Sequence, residues 1–490
     1  MFYSLGIDLG TSGVKVLLVD ENGKIIKTVS AEYPIYFPEP GWSEQNPVDW
    51  WEAVKKCILE IVGFTGGENI KAIGCAGQMH GLVILDRVDN VIRPAILWND
   101  GRTAEQTEYL NNVIGKEKLS ALTGNIAFAG FTAPKLLWLK DNEIDNFKRV
   151  SKIMLPKDYI NYMLTGIHSC DYSDASGMLL LDVKNKQWSD EMLEICSVKK
   201  EQLPELYESY EVIGKIKEDI ADELSISREC AVVAGAGDNA AAAVGTGTVG
   251  EGACNISIGT SGTVFISSDK FGVDENNSLH SFAHADGGYH LMGCILSAAS
   301  CNKWFCDDIL KNNNYKLLQS EITDNDLGTN NVFYLPYLMG ERSPINDTDA
   351  RSTFTGMTMD TKQKDMLLAV LEGVAFAIRD NIEAAKRIGI NISRSYLCGG
   401  GSSSELWLKI FANVLNITID IPLTQEGPGY GAAMLALVGC GRYGSVKECA
   451  EKLTLTKRSI EPNPDIASLY ENKYEKFKKL YPSLKDFFKN

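Results

Sequence analysis

Asp8-Leu9-Gly10-Thr11-Ser12-Gly13-Val14-Lys15 is the stretch that decides the fold. Residues 4–9 are apolar-rich and residues 14–20 are β-branched and apolar. The glycines and hydroxyls between them read as a tight turn joining two strands. The same tetrapeptide returns as Gly259-Thr260-Ser261-Gly262, again between apolar runs at 253–258 and 263–267. The second copy opens the second half of a 490-residue chain. One repeated tetrapeptide of common residues is a weak signal, and its context supplies the weight. Both copies sit in the same strand–turn–strand setting, which predicts an α/β protein of two related lobes, 1–248 and 249–490. No long Pro- or Ser-rich linker separates them, so the lobes should pack closely over a cleft.

Working outward, helical periodicity predicts helices at 49–62, 104–113, 133–141, 156–164, 189–196, 365–388 and 404–415. Strands are expected at 70–76, 82–86, 230–234 and 395–398. The tail from Ser468 carries Leu469, Tyr474, Phe477 and Leu480 at helical spacing and reads as a docking helix with a solvated charged face.

Hydrophobic residues make up 44% of the chain and charged ones 23%, so disorder is excluded and a large core is affordable. The net charge of −16 argues against nucleic acid and anionic membrane as partners. Twelve scattered cysteines without a CxxC pair fit a reduced compartment. The chain starts without a basic, apolar leader, and the expected location is cytoplasmic. His280, His284 and His290 cluster in sequence but lack metal-ligand spacing, so a loop or strand face explains them better than a zinc site.

The turn at Gly10, Thr11 and Ser12 offers backbone N–H groups and hydroxyls to an oxyanion, and Gly259, Thr260 and Ser261 offer the same. Asp8 ends a strand where a carboxylate can hold Mg²⁺, and Lys15 could reach a phosphate. Ser257 stands where Asp8 stands in the other copy. Two phosphate cradles with one carboxylate suggest one metal-bound nucleotide between two lobes, and neither cradle is a Walker A loop. Gly399, Gly400 and Gly401 precede Ser404 at a strand-to-helix turn, where close ligand approach or plain N-capping by Ser404 are both open. Gly427-Pro428-Gly429-Tyr430-Gly431 reads as a further pocket wall before a helix at 432–438.

Gly235-Ala236-Gly237-Asp238-Asn239-Ala240 imitates a dinucleotide fingerprint, but no acidic residue follows about 20 positions on, so an oxidoreductase is rejected. Asp238 can instead take a proton from an attacking hydroxyl, or simply cap a helix. Gln78, Met79 and His80 follow one strand, and Trp98 opens a loop that continues through Asp100 to Arg102. Amide, imidazole and indole groups in such loops suit a polyol, though Trp98 could be core and Arg102 could pair with Asp100.

With these residues in place, the chain resembles the FGGY family of carbohydrate kinases, built on the actin-like (ribonuclease H-like) ATPase fold. Two long stretches carry the likeness over nearly the whole chain. One runs from Gly130-Phe131-Thr132-Ala133-Pro134-Lys135 to Asn142-Glu143. The other spans 352–372, with Phe354, Gly356, Met357, Asp365, Ala369 and Glu372. Segments such as Trp42-Ser43-Glu44-Gln45, Gln78-Met79-His80-Gly81 and Leu155-Pro156-Lys157-Asp158-Tyr159 are most similar to the members that phosphorylate D-xylulose. Met79 and His80 replace the Arg-Glu pair with which glycerol-specific members read glycerol. The resemblance implies ATP and Mg²⁺ as cofactors, Asp238 as general base and Asn239 as a substrate contact. It places phosphate loops at Gly10–Gly13 and Gly259–Gly262 and an adenosine loop at Gly399–Ser404, and it implies a homodimer. Two alternatives stay open: a kinase for ribulose, fuculose, gluconate or another polyol, and a non-metabolic actin-like ATPase.

Overall fold

The structure is a computed structural model that describes residues 2–424 and 426–489. Two mixed sheets form its centre, one from each half of the chain. In the first, Tyr3–Leu9, Gly13–Asp20 and Ile25–Glu32 make an antiparallel meander. Ile70–Gly77 joins Tyr3–Leu9 in parallel, Ala231–Val233 follows in parallel, and Val212–Lys215 closes that edge antiparallel. In the second, Cys254–Ile258, Gly262–Ser268 and Tyr289–Ile295 make the meander, extended by His280–Ala283. Arg394–Cys398 and Thr418–Pro422 add in parallel, and Thr456–Ile460 closes antiparallel. Strand order and direction repeat, so the echoed tetrapeptide marks a repeated architecture. The copies differ by one residue in register. Leu9 pairs with Val14 in the first hairpin, whereas Ile258 pairs directly with Gly262 in the second.

The first sheet is covered on both faces, whereas in the second the central strand Cys254–Ile258 alternates buried and half-buried residues. Trp50, Val54, Ile58 and Ile61, at helical spacing in Pro47–Thr65, pack on one face of the first sheet against Leu5, Ile7, Val16 and Leu18. Pro47 sits in the first turn and the Asn46 side chain accepts from Val48 N, which explains where this helix starts. The second sheet packs on the 25-residue helix Gln363–Arg387. The tail helix Pro464–Phe477 docks beside it, with the rings of Phe477 and Phe376 5.0 Å apart.

The other face of the first sheet is covered by Asp238–Gly245 and by Gly427–Gly439, a helix from the second half of the chain. Residues 429–438 of that helix are all buried, as befits a helix that is apolar all round. The helix starts five residues earlier than the expected 432, so that 427–431 form its first turn. Pro428 is tolerated there because its missing N–H is an orphan anyway. The glycines serve close backbone approach. A Cβ on Gly6 would lie 1.9 Å from Gly429 O, and one on Gly431 would lie 1.8 Å from Ala241 O. The predicted helix at 104–113 also changes character, continuing beyond Glu108 as a wider π turn over Tyr109–Gly115.

Candidate active site

The first hairpin brings Asp8 and Lys15 opposite one another on adjacent strands. Lys15 Nζ is 3.0 Å from Glu426 Oε2, at the mouth of the helix Gly427–Gly439. Burial pushes the Asp8 carboxyl up to about 6, with Lys15 opposing the rise and Glu426 adding to it. Thr11 is fastened from two sides. Its Oγ1 accepts from Trp98 Nε1 at 3.0 Å, and its carbonyl accepts from Gln45 Nε2 at 2.7 Å. Trp98 is 48% exposed, so it is a surface indole beside the hairpin and not a core residue.

Asp238 opens the helix Asp238–Gly245. Gly237 occupies the cap position, so Asp238 is the first helical residue and not the N-cap. Its Oδ1 accepts from Asn239 N at 2.7 Å. Burial first, then the charge of Asp8, raises its pKa to about 7, and the Asn239 N–H opposes the rise. Asn239 Nδ2 approaches Met79 Sδ at 4.0 Å, and Met79 packs against Gly237, where a Cβ would meet its Cγ at 3.0 Å. The segment leading into Asp238 and the 78–80 loop therefore share one wall.

His80 takes a left-handed backbone, φ 68°. Its carbonyl accepts from Lys135 Nζ at 2.8 Å and Thr132 Oγ1 at 3.1 Å, which holds that conformation. Its ring stacks on Phe131 at 4.7 Å. Nδ1 lies 2.8 Å from Gly177 O, and a carbonyl only accepts, so Nδ1 carries the proton and Nε2 is left as an acceptor. Burial lowers this imidazole to about 3. Gln78 is less free than the sequence suggests, because its Nε2 donates to Gln45 Oε1 at 2.9 Å. Its buried Oε1 has no partner.

Beneath this wall Lys157 is fully buried among acids, 2.6 Å from Asp158 Oδ1 and 2.9 Å from Asp171 Oδ1, with Asp174 at 3.7 Å. Ser173, in the same cluster, accepts from Gly237 N at 3.2 Å and so ties the cluster to the segment before Asp238. Asp100 and Arg102 pair with each other: Arg102 Nη2 is 2.7 Å from both Asp100 and Glu44, and its guanidinium lies 3.7 Å from the Trp42 ring centre. That pair clamps the loop, with Arg102 Nη1 left buried and without a hydrogen-bond partner.

A second group sits on the other lobe. The loop at 399–404 borders a cavity of about 720 Å³ lined by Gly399, Gly400, Ser402, Ser403, Glu405, Ile421, Lys457 and Arg458. Gly399 has φ +81° and lies against Ile258, the last residue before Gly259, so this loop adjoins the second hairpin. Gly400 has open space where a Cβ would stand. Ser404 caps the helix Glu405–Leu415, accepting from Trp407 N at 3.1 Å, and donates to Gln319 Oε1 at 2.7 Å, so its hydroxyl serves the fold. Lys457 and Arg458 were not found by sequence reasoning. They lie on the edge strand Thr456–Ile460, whose exposed pattern carries no motif.

The Asp8 carboxylate, at the end of its strand, has the chemistry that suits a hard divalent cation. Among the described residues no group of three or more His, Cys, Asp or Glu could hold a metal ion. An ion here would take carboxylate oxygen from this chain and the rest of its shell from phosphate and water, the habit of Mg²⁺. All twelve cysteines are free, and His284, in the turn after the strand His280–Ala283, has Nε2 2.9 Å from Thr248 O. Among the described residues no helix is long and apolar enough to cross a membrane.

Residues 3–245 match the N-terminal domain of the FGGY family of carbohydrate kinases, and residues 254–440 match its C-terminal domain. The xylulose kinase of Escherichia coli (strain K12) is 38% identical over 482 residues, covering 98% of this chain and 99% of its own length. The crystal structure of a xyloylose kinase from Brucella ovis superposes with a TM-score of 0.93 at 40% identity, over 99% of both chains. That of a gluconate kinase from Lactobacillus acidophilus reaches 0.92 at 27% identity, over 98% of both.

Proposed function

The chain belongs to the FGGY family of carbohydrate kinases, and we propose that it transfers the terminal phosphoryl group of ATP to the terminal hydroxyl of D-xylulose, giving D-xylulose 5-phosphate. The observation that carries this is Asp238, raised to about 7 and set on one wall with Asn239, Met79 and His80. A carboxylate that basic is matched to proton removal near neutral pH. Asn239 N–H holds Oδ1, which leaves Oδ2 for the substrate proton. His80 presents a neutral acceptor, Nε2, to a sugar hydroxyl, and the apolar Met79 faces the carbon chain. Glycerol-type recognition by an Arg-Glu pair has no counterpart at these positions.

The nucleotide's base fits the cavity beside Gly399–Gly401, with its phosphates toward Gly259, Thr260 and Ser261 and then Gly10, Thr11, Ser12 and Lys15. Mg²⁺ near Asp8 would neutralise charge on the phosphates. Phosphoryl transfer has a loose transition state, so what the chain supplies is chiefly positioning and backbone N–H groups at the transferring oxygens. The lobes meet at 248/249, and family kinship supports a cytoplasmic homodimer, which sedimentation would check.

The test is ADP release with a panel of D-xylulose, D-ribulose, fuculose and gluconate. D-xylulose should have the highest kcat/KM, and Asp238→Asn should lower kcat by about 100-fold or more with the near-UV CD spectrum retained. A higher kcat/KM for gluconate or ribulose would replace the substrate. Near-normal turnover in Asp238→Asn would remove the base. ATP-dependent polymer without sugar-stimulated turnover would favour the actin-like ATPase.

A further inference from the structure

Arg342 belongs to the second lobe, in a loop pinned to the end of the strand Tyr289–Ile295. Glu341 Oε1 accepts from Leu296 N at 2.8 Å and from Arg342 N at 2.7 Å, and Ser343 N donates to Cys294 O at 2.9 Å. From there the guanidinium crosses to the first lobe, where it lies 4.5 Å from the ring centre of Phe128. Phe128 contacts Phe131 at 5.6 Å and His280 at 4.9 Å, and Phe131 carries His80. The arginine's charge acts on both His80 and His280, and with burial it keeps each imidazole neutral.

This guanidinium has no counter-ion. Among the described residues it makes no ion pair, and its Nε is buried without a hydrogen-bond partner. The contrast within the same chain is sharp. Arg102 is held by Asp100 and Glu44, and Arg379 by Glu383 and Glu471. A protein of net charge −16 has acids to spare, yet the neighbouring acid, Glu341, turns its carboxylate to the backbone N–H groups of Leu296 and Arg342 and makes no ion pair with the guanidinium. Keeping a half-buried cation with a buried, unpartnered Nε is costly, and a ligand acceptor offsets that cost. The wall running Asp238, Asn239, Met79, His80, Phe131, Phe128 puts Arg342 at the end away from the base.

We propose that Arg342 is a specificity residue, donating hydrogen bonds to the end of the ketose remote from the reacting hydroxyl: its carbonyl oxygen and 1-hydroxyl. This rests on the sugar-kinase reading above. It gives the second lobe a direct hold on the sugar, so that correct acceptor and lobe closure are coupled.

The experiment is a cycle between protein and ligand. kcat/KM is measured for D-xylulose, for its 1-deoxy analogue and for the pentitol in which the carbonyl is reduced, with wild type, Arg342→Lys and Arg342→Gln. Wild type should lose about 10-fold or more with each deleted group, the usual size for a hydrogen bond to a charged donor. Arg342→Gln should lose a similar factor on D-xylulose and then discriminate the analogues by less than about 3-fold. Arg342→Lys should fall between, and it carries the test if the glutamine variant does not fold. Equal analogue penalties in wild type and both variants would overturn the proposal, including the case in which Arg342 serves the phosphate or only the fold. If wild type ignores D-xylulose but turns over another acceptor, the substrate assignment fails by itself. The same cycle on truncated forms of that acceptor then decides Arg342.

Discussion

Gly431→Ala and Gly63→Ala place the same substitution in two helices with opposite surroundings. In the abstract each should stabilise, because Ala exceeds Gly in a helix interior by about 1 kcal/mol. At Gly63 nothing lies within 4 Å of the added Cβ, so the gain of about 0.5–1 kcal/mol should be realised. At Gly431 the Cβ would stand 1.8 Å from Ala241 O, 2.7 Å from Ala241 C and 3.0 Å from Gly245 N. Those atoms are backbone of the helix Asp238–Gly245 and no rotamer moves them aside. A carbon needs well over 3 Å from such atoms, so one helix must lift by more than 1 Å along the whole contact. Overpacking of this kind costs about 1–3 kcal/mol, and the rigid partner puts it at the top of the range. After the propensity gain, Gly431→Ala should lose about 2 kcal/mol. Urea unfolding followed by tryptophan fluorescence reads both variants, as a midpoint lowered for 431 and raised for 63. A Gly431→Ala protein as stable as wild type would refute the claim that these glycines exist for backbone contact.

Three further outcomes follow from charge. Glu426→Gln releases Lys15 from a pair that is about 40% exposed on each side. Such a pair is worth at most about 1 kcal/mol, so KM for ATP should fall by no more than about 5-fold, and an unchanged or raised KM would argue that Lys15 does not meet phosphate. Lys157→Met strands Asp158, Asp171 and Asp174 in the interior, and breaking a buried pair costs about 3–5 kcal/mol; a melting temperature equal to wild type would exclude the network as a support of the base loop. His80 titrates lower in the folded chain, about 3, than unfolded, near 6.5. Its contribution is therefore complete above pH 6.5 and lost as pH falls toward 3. His80→Gln should flatten the acid limb of stability by about 1.4 kcal/mol per pH unit at most in that window; parallel limbs would show that His80 is not held neutral.

The two hairpins were legible because glycine turns between β-branched runs are local chemistry, and so was Asp238, which follows a short apolar strand. The strand Ile25–Glu32 was not, since Lys27, Thr28 and Ser30 make it read as surface. The helix Gly427–Gly439 was misread at its start because Gly and Pro signal a break unless a second backbone lies against them, and that neighbour is almost 200 residues away in sequence. The same distance hides Glu426 from Lys15, 411 residues apart. Arg342 carries no motif, and its lack of a partner is visible only once the fold has distributed the acids elsewhere.

The helix Gly427–Gly439 also sets an order of events at the ribosome. The first sheet is synthesised by Gly237, and Asp238–Gly245 follows at once, yet the apolar face with Leu17, Val19, Ala72 and Val233 finds the rest of its cover only when residues 427–439 have emerged. At about 5–20 residues per second that is a wait of tens of seconds with an oily surface uncovered. A protein cut between the lobes would keep that part of the surface open permanently.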